Sequence, residues 1–147
     1  MSDKTKSNQR GMEIIRAASE VFSLYGYGKT SLDDIASALN ITRSALYYYH
    51  RNKDDLFLAV IDNWLHDYRL ELEKAIAGEM TTEHRLEIFC RCYLDYRLKF
   101  FKINKFNDDD YPVPFDLLKR IKSRSISLQV SIITGILERD DALKDIE

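Results

Sequence analysis

Residues 31–53 read SLDDIASALNITRSALYYYHRNK, and this stretch decides the fold because it predicts two short helices that meet at a sharp turn. Ser31 is a favourable N-cap residue, and Asp34 three positions later completes a variant of the capping box. Asn40 falls where the chain must turn, since asparagine tolerates the left-handed backbone conformation that ends many helices. Thr42 is the next N-cap, and it opens the second helix.

That second helix, Arg43 to Tyr49, has little to bury. Ala45 and Leu46 are its only predicted core-facing residues, while polar and aromatic side chains occupy its other faces. A short helix with outward-facing donors and flat rings is typical of a helix that enters a DNA groove. The alternative is an ordinary helical corner whose tyrosines cover a small core, because such corners also occur in proteins that never bind nucleic acid.

The surrounding sequence favours the DNA-binding interpretation. Residues 11–61 contain the pieces GMEIIRAASEVFSLYGYGKTSLDDIA and NITRSALYYYHRNKDDLF, which resemble the DNA-binding domain of TetR/AcrR-type transcriptional regulators. The resemblance spans three helices and two turns in order. Asn40 stands where that family usually has glycine, and His50 stands where it usually has phenylalanine. We therefore expect more polar packing than usual beneath the second helix.

The resemblance, together with position on the two helices, assigns the predicted DNA contacts. Arg43 and Ser44 lie at the start of the recognition helix, where side chains reach base edges. Tyr47 is predicted to contact a phosphate through its hydroxyl, and Tyr48 a base through its ring. Hydroxyl groups, helix N-termini and one cation are predicted to anchor phosphates at Thr30, Ser31, Thr42, Tyr49 and Lys53. Core packing is the alternative for the tyrosines, and it stays open for Tyr49 in particular.

Composition and periodicity predict an all-α protein. The chain has 147 residues, of which 45% are hydrophobic and 31% charged, with only five glycines and two prolines. That is enough to bury a core, and the long stretches of 3.6-residue period indicate helices. We predict a DNA-binding domain at 1–55, with its helix-turn-helix at about 31–50, and a helical regulatory and dimerisation domain at 56–147.

The predicted helices follow from apolar stripes and stop signals. The first runs over about 9–25 and ends at Gly26, after a frayed arm over 1–8. A fourth helix is predicted over 53–77 and a fifth from Thr81 or Thr82 to about 103. Two separate helical stretches are predicted after residue 115, one around 117–121 and one over 126–137.

Charge is distributed unevenly, although the net charge is only −2. Residues 1–53 hold eight Lys and Arg against five Asp and Glu, whereas 54–147 hold fourteen against nineteen. A basic head on an acidic body suits a protein that presents one end to DNA phosphates. No segment approaches the roughly 20 apolar residues of a membrane span, and no signal core is present, so we expect a cytoplasmic protein.

No catalytic or metal-binding constellation can be assembled from the sequence. Asp62 and His66 are four apart, but no further ligand is placed beside them. The run Asp108 to Asp110 lacks the glycine and the distal glutamate of a calcium loop. Cys90 and Cys92 would point apart on a helix, so we interpret them as reduced. We predict that the chain is not an enzyme and uses no cofactor or metal.

In the resembling family the body usually holds a small-molecule pocket. Aromatic residues that would line such a pocket here, or else simply form the core, are Trp64, Tyr68, Phe89, Tyr93, Tyr96 and Phe100. The prediction is a ligand-responsive repressor that binds a palindromic operator in double-stranded DNA as a homodimer through Ile126 to Leu137. Two rival interpretations are a helical protein-interaction module and a small-ligand-binding module that has lost DNA binding.

Overall fold

A computed structural model describes residues 3–104 and 113–140, and within these ranges the chain is helical without any strand. The helices in chain order are α1 (Asp3–Lys29), α2 (Leu32–Ala38), α3 (Arg43–Tyr49), α4 (Lys53–Ala75), α5 (Thr82–Asn104) and α6 (Phe115–Leu137). The predicted all-α class is confirmed. In the described part of the chain, no helix combines the length and the apolarity that crossing a membrane requires.

Helix α1 is longer than the sequence predicted, and it contains a break. It begins at Asp3, so the expectation of a frayed arm over 1–8 is wrong for the described residues of that arm. The break lies at Gly26, whose φ of 80° and ψ of 166° suit only glycine. The regular helix therefore ends where the sequence predicted, and the chain turns there toward α2.

The helix-turn-helix has the predicted caps. Ser31 Oγ accepts a hydrogen bond from the Asp34 amide at 3.2 Å, and the Asp34 carboxylate accepts one from the Ser31 amide at 2.7 Å. Asn40 adopts a φ of 53°, in the left-handed region. Thr42 Oγ1 accepts a hydrogen bond from the Ala45 amide at 3.2 Å. These local interactions fix where α2 ends and α3 begins.

A continuous core passes from α1 through α4 into α5 and α6. Near the head, the Phe57 ring of α4 meets Phe22 edge-on, with ring centroids 4.9 Å apart. Further along, Trp64 Nε1 of α4 donates to Ser19 Oγ of α1 at 2.9 Å. Because α4 packs on α1 as well as on α5 and α6, the core crosses the predicted domain boundary at residue 55 without interruption.

The C-terminal part contains one helix where the sequence predicted two. Helix α6 is unbroken, and Ser125, in the middle of a polar run, is buried. Its hydroxyl is hydrogen-bonded to Tyr96 of α5, so a polar side chain is satisfied inside the fold and the helix continues. The acidic run Asp108 to Asp110 lies outside the described residues.

Arg85 closes the connection between α4 and α5. Its Nη1 donates to the Met80 carbonyl at 2.6 Å, its Nη2 to the Gly78 carbonyl at 2.8 Å, and its Nε to the Ile76 carbonyl at 3.4 Å. One guanidinium thus satisfies carbonyl groups at the end of α4 and in the following turn. Thr81 caps α5, because its Oγ1 accepts a hydrogen bond from the His84 amide.

Candidate functional site

Helix α3 presents most of its surface to solvent. Leu46 is its one buried residue, while Tyr47 is 42% and Tyr48 80% exposed. Ala45 is exposed, so its predicted core-facing position is wrong. A seven-residue helix needs only one buried side chain to hold it, here Leu46. Ala45 precedes Leu46 by one residue and therefore lies about 100° away from it around the helix axis. The exposed face is therefore wide enough to enter a groove.

Arg43 joins α3 to α2. Its Nη1 lies 2.8 Å from Asp33 Oδ2, and its Nη2 donates to the Tyr47 hydroxyl at 3.0 Å. The guanidinium carbon also lies 5.4 Å from the centre of the Tyr47 ring. The hydrogen bond to Tyr47, followed by the charge of Asp33, raises the pKa of Arg43. Asp33 was not predicted as part of the site, because nothing local pairs residues ten apart.

Lys53 has internal partners at the start of α4. Its Nζ donates to the Tyr27 carbonyl at 3.0 Å and lies 4.2 Å from the centre of the Tyr27 ring. Burial lowers the pKa of Lys53, although the negative charge of Asp54 acts in the opposite direction. The Tyr27 hydroxyl donates to the Asp54 carboxylate, and burial together with this bond raises the pKa of Tyr27 above its usual range. An ammonium has three donors, so Lys53 keeps donors for a phosphate.

The other predicted phosphate contacts differ in exposure. Ser31 and Thr42 are exposed at the N-termini of α2 and α3. Thr30 is only 3% exposed, and its hydroxyl donates to the Gly26 carbonyl at 2.7 Å. The structure therefore does not offer the Thr30 hydroxyl to a phosphate, contrary to the sequence expectation. Tyr49 is half-buried against the core, which favours the packing interpretation for that ring.

His50 introduces a titratable group directly after α3. Its side chain is 12% exposed, and its Nδ1 lies 3.6 Å from Asp55 Oδ2. Burial lowers the pKa of His50, and it outweighs the carboxylate of Asp55, which acts in the opposite direction. The packing beneath the recognition helix therefore contains a polar, largely buried ring.

The body contains two clefts that share the Tyr96 and Phe100 side chains. The first, of about 310 Å³, lies between α4 and α5 and is lined by Trp64, Asp67, Tyr68, Glu71, Cys92, Asp95, Tyr96 and Phe100. The second, of about 450 Å³, lies between α5 and α6 and includes Tyr93, Arg97 and Lys122. Phe89 is buried and stacks on Tyr93 with ring centroids 6.1 Å apart. It lines neither cleft, so its assignment to a pocket is not supported.

The sequence interpretation missed the carboxylates of the first cleft. Glu71 is seven residues after Trp64, and Asp95 is one residue before Tyr96, so each lies beside a cleft aromatic on its helix. Glu71 stands where the apolar stripe of α4 would continue, which is a signal in the sequence, whereas Asp95 lies off the stripe of α5 and has no such signal. Within residues 3–104 and 113–140, no three histidine, cysteine or acidic side chains gather as a metal site.

Comparison with known proteins shows what the head is similar to. The family model described as bacterial regulatory proteins, tetR family, matches residues 14–60. The probable acrEF/envCD operon repressor of Escherichia coli (strain K12) is 41% identical over 59 residues, which cover 39% of this chain and 27% of the repressor. The regulator AcrR of Shigella flexneri is 33% identical over 87 residues, which cover 58% of this chain and 36% of AcrR. These alignments span about a quarter to a third of the relatives' length.

Solved structures extend the similarity of fold to the body. A transcriptional regulator of the TetR/AcrR family from Thermobifida fusca superimposes with a TM-score of 0.63 at 24% identity, over 89% of this chain and 67% of that one. A TetR-family regulator from Pectobacterium atrosepticum gives 0.59 at 21% identity, over 92% of this chain and 80% of that one. At such identities the likeness concerns the fold alone.

Proposed function

We propose that the chain is a sequence-specific DNA-binding transcriptional regulator, because the model of the tetR family of bacterial regulatory proteins matches residues 14–60. The observation that carries the proposal is the exposed face of α3. Its helix is held by the Thr42 cap and by the buried Leu46, while Arg43, Tyr47 and Tyr48 project outward. Such a face, at the second position of a helix-turn-helix, matches the major groove of B-DNA in size and in donor chemistry.

We propose that the protein represses transcription rather than activating it. One relative is named an operon repressor, and another, IcaR of Staphylococcus epidermidis, a negative transcriptional regulator. A protein bound across a promoter blocks transcription without needing a further contact, whereas activation requires one. We propose that the protein acts in the cytoplasm, where a bacterial regulator meets its DNA.

We further propose that the functional unit is a homodimer on a palindromic operator. One recognition helix reads only a short half-site, and two heads on successive major grooves must stand about 34–36 Å apart. Exposed apolar side chains are available for a self-complementary surface: on α6, Ile126 and Val130 are 50% and 58% exposed, and on the adjacent α5, Leu94 and Leu98 are 61% and 58% exposed. Covering such side chains is the usual role of a dimer interface.

An effector in the body clefts is proposed to act through α4. This helix is continuous from Lys53 at the head to Tyr68 at the first cleft. There the Tyr68 hydroxyl donates to Gln129 Oε1 of α6 at 3.2 Å. A coupling of about 1–3 kcal/mol between effector and DNA is enough for a working switch. Structures with and without effector that showed the same separation of the two heads would contradict this step.

The experiment that tests DNA binding is a selection of bound duplexes from a random pool, using the intact chain. We expect a palindromic sequence to be enriched, with binding that weakens steeply as salt rises because phosphate contacts release counterions. A pool that stays random, with no salt-dependent retention, would overturn the proposal. It would leave the protein-interaction or ligand-binding module as the function.

A further inference from the structure

The cleft between α4 and α5 combines aromatic walls with acidic edges. Trp64 and Tyr68 of α4 face Tyr96 of α5, and the Tyr68 and Tyr96 ring centroids are 5.1 Å apart. The carboxylates at this cleft belong to Asp67, Glu71 and Asp95, which are all exposed. No lysine, arginine or histidine is among the described residues that line it. The cleft therefore has an apolar interior beneath a negative rim.

One of the rim carboxylates, that of Asp67, accepts a hydrogen bond from a neutral group. This group is the side-chain amide of Asn63, whose Nδ2 donates to Asp67 Oδ2 at 3.1 Å. Burial raises the pKa of Tyr96 to about 12 and that of Tyr68 still further, so both phenols are neutral at pH 7. A neutral phenol ring attracts a cation that lies over its face.

The second cleft has the opposite charge. It lies on the other side of Tyr96 and is lined by Arg97 and Lys122, with no aspartate or glutamate among its described lining residues. Both clefts have aromatic lining, but the second is larger, has aliphatic lining as well and carries the opposite charge. We therefore expect the charge of an aromatic ligand to influence which cleft it enters.

We propose that the cleft between α4 and α5 binds an organic cation with a flat aromatic body. The ring system would lie among Trp64, Tyr68 and Tyr96, and the positive group would face the carboxylates of Glu71 and Asp95. Cation–π attraction and proximity to two carboxylates both favour the positive charge, and the apolar walls favour the ring. This inference rests on the proposed function only in making the cation the effector; the binding itself is independent of DNA.

A fluorescence titration without DNA tests the binding, because Trp64 is the single tryptophan of the chain and lines this cleft but not the second one. The probes are N-methyl-4-phenylpyridinium and biphenyl-4-carboxylate, which share a two-ring shape and carry opposite charge. We expect saturable quenching of Trp64 by the cation, with an affinity at least about tenfold higher than that of the anion. Equal affinities, or no saturable change with the cation at millimolar concentration, would overturn the proposal.

A variant without the rim carboxylates distinguishes attraction of the cation by this cleft from its general attraction to an acidic protein. The double variant Glu71→Gln, Asp95→Asn is expected to lower the affinity for the cation by about fivefold, since each exposed carboxylate contributes modestly. Glu83→Gln, in the first turn of α5 and away from the cleft, is the matched control and should change nothing. An unchanged double variant, or an equal loss in the control, would contradict the assignment to this cleft.

Duplex binding measured on the same preparations distinguishes this inference from the proposed function. If the cation fails to bind while duplex is retained, the cation inference is overturned and the DNA-binding proposal stands. If the cation binds as described and no duplex is retained, the inference is supported and the DNA-binding proposal falls. Circular dichroism of each variant confirms that a loss of binding is not a loss of helix.

Discussion

Asp33 on α2 and Arg43 on α3 form an ion pair with a distance of 2.8 Å between Oδ2 and Nη1. Both side chains are about half exposed, and Arg43 is the residue assigned to base readout. In the free protein the guanidinium is thus held by a carboxylate and by the Tyr47 hydroxyl. If Arg43 reads a base as predicted, it would exchange these partners for a base edge, so that specificity would depend on a contact between the two helices.

Replacing Asp33 with asparagine should therefore strengthen duplex binding. The change releases Arg43 and removes a negative charge from the surface predicted to face DNA. Since an exposed ion pair is worth about 0.2–1 kcal/mol, we expect the affinity for duplex to rise about two- to fivefold. Fluorescence anisotropy with a labelled operator measures it. Glu87→Gln is the matched control, because it breaks a similar exposed pair with Arg91 in the body. Weaker binding by Asp33→Asn would show that the pair organises the site rather than competing with DNA.

Replacing Arg43 with alanine should relax sequence preference. A bidentate contact between arginine and guanine contributes about 1–3 kcal/mol of discrimination at one base pair, so that preference should disappear. Tyr47→Ala, by contrast, should weaken all duplexes about equally, as expected for a phosphate contact. Competition with single-base operator variants separates the two effects. Arg91→Ala is the control for losing an exposed, ion-paired arginine, and an identical preference profile in Arg43→Ala would refute the base contact.

His50 should make the stability of the head depend on pH. Because burial lowers its pKa in the folded state, the unfolded chain takes up a proton first as the pH falls through the usual histidine value of 6.5. The stabilisation that neutral His50 contributes to the free energy of unfolding is complete above the usual histidine pKa. It declines as the pH falls below that pKa, until His50 is protonated in the folded state as well. Urea titrations between pH 5 and 8 should show a flatter profile for His50→Phe. A profile for His50→Phe that is as steep as that of the native chain would contradict this role of His50.

Charged substitutions on the exposed face of α6 should produce a monomer. Val130→Glu places a carboxylate in the proposed self-contact, where it would be buried without a partner, and we expect the dimer to dissociate at micromolar concentration. Ser127→Glu introduces the same charge at an exposed position one residue past Ile126, and it should leave the dimer intact. Sedimentation velocity measures both variants. A native chain that already sediments as a monomer would refute the homodimer.

Arg85→Lys should destabilise the body even though the charge is kept. Lysine is a point charge and cannot reproduce the fork that reaches the carbonyls of Gly78 and Met80. We expect the free energy of unfolding to fall by about 1–2 kcal/mol, as for the loss of one or two hydrogen bonds. Arg91→Lys, whose contact is an exposed ion pair within one helix, is the control and should be nearly neutral. Chemical denaturation provides the comparison.

Features that depend on neighbouring residues were predictable from the sequence. The caps at Ser31 and Thr42 and the left-handed Asn40 were located correctly, because each depends on backbone groups no more than three residues away. The break at Gly26 was located for the same reason. Local chemistry thus defined the helix-turn-helix almost to the residue.

Features that depend on distant partners were not predictable. The hydroxyl of Thr30 faces inward because the turn at Gly26 brings a carbonyl to it, and Lys53 meets Tyr27 only after the head has packed. Helix α6 looked interrupted because no sequence rule indicates that Ser125 will find Tyr96. In these three cases the sequence did not show the partner of a polar side chain, because tertiary packing decides it.

Helix α4 also has a mechanical consequence, because it is unbroken between the cleft and the head. The distance along its axis from Tyr68 to Lys53 is about 22 Å, so pivoting the helix by about 5° at the cleft would move its other end by about 2 Å. In a dimer two such arms would move together, and the displacement between the recognition helices would double. A ligand smaller than the head could therefore change the distance between the two recognition helices by more than the length of a hydrogen bond.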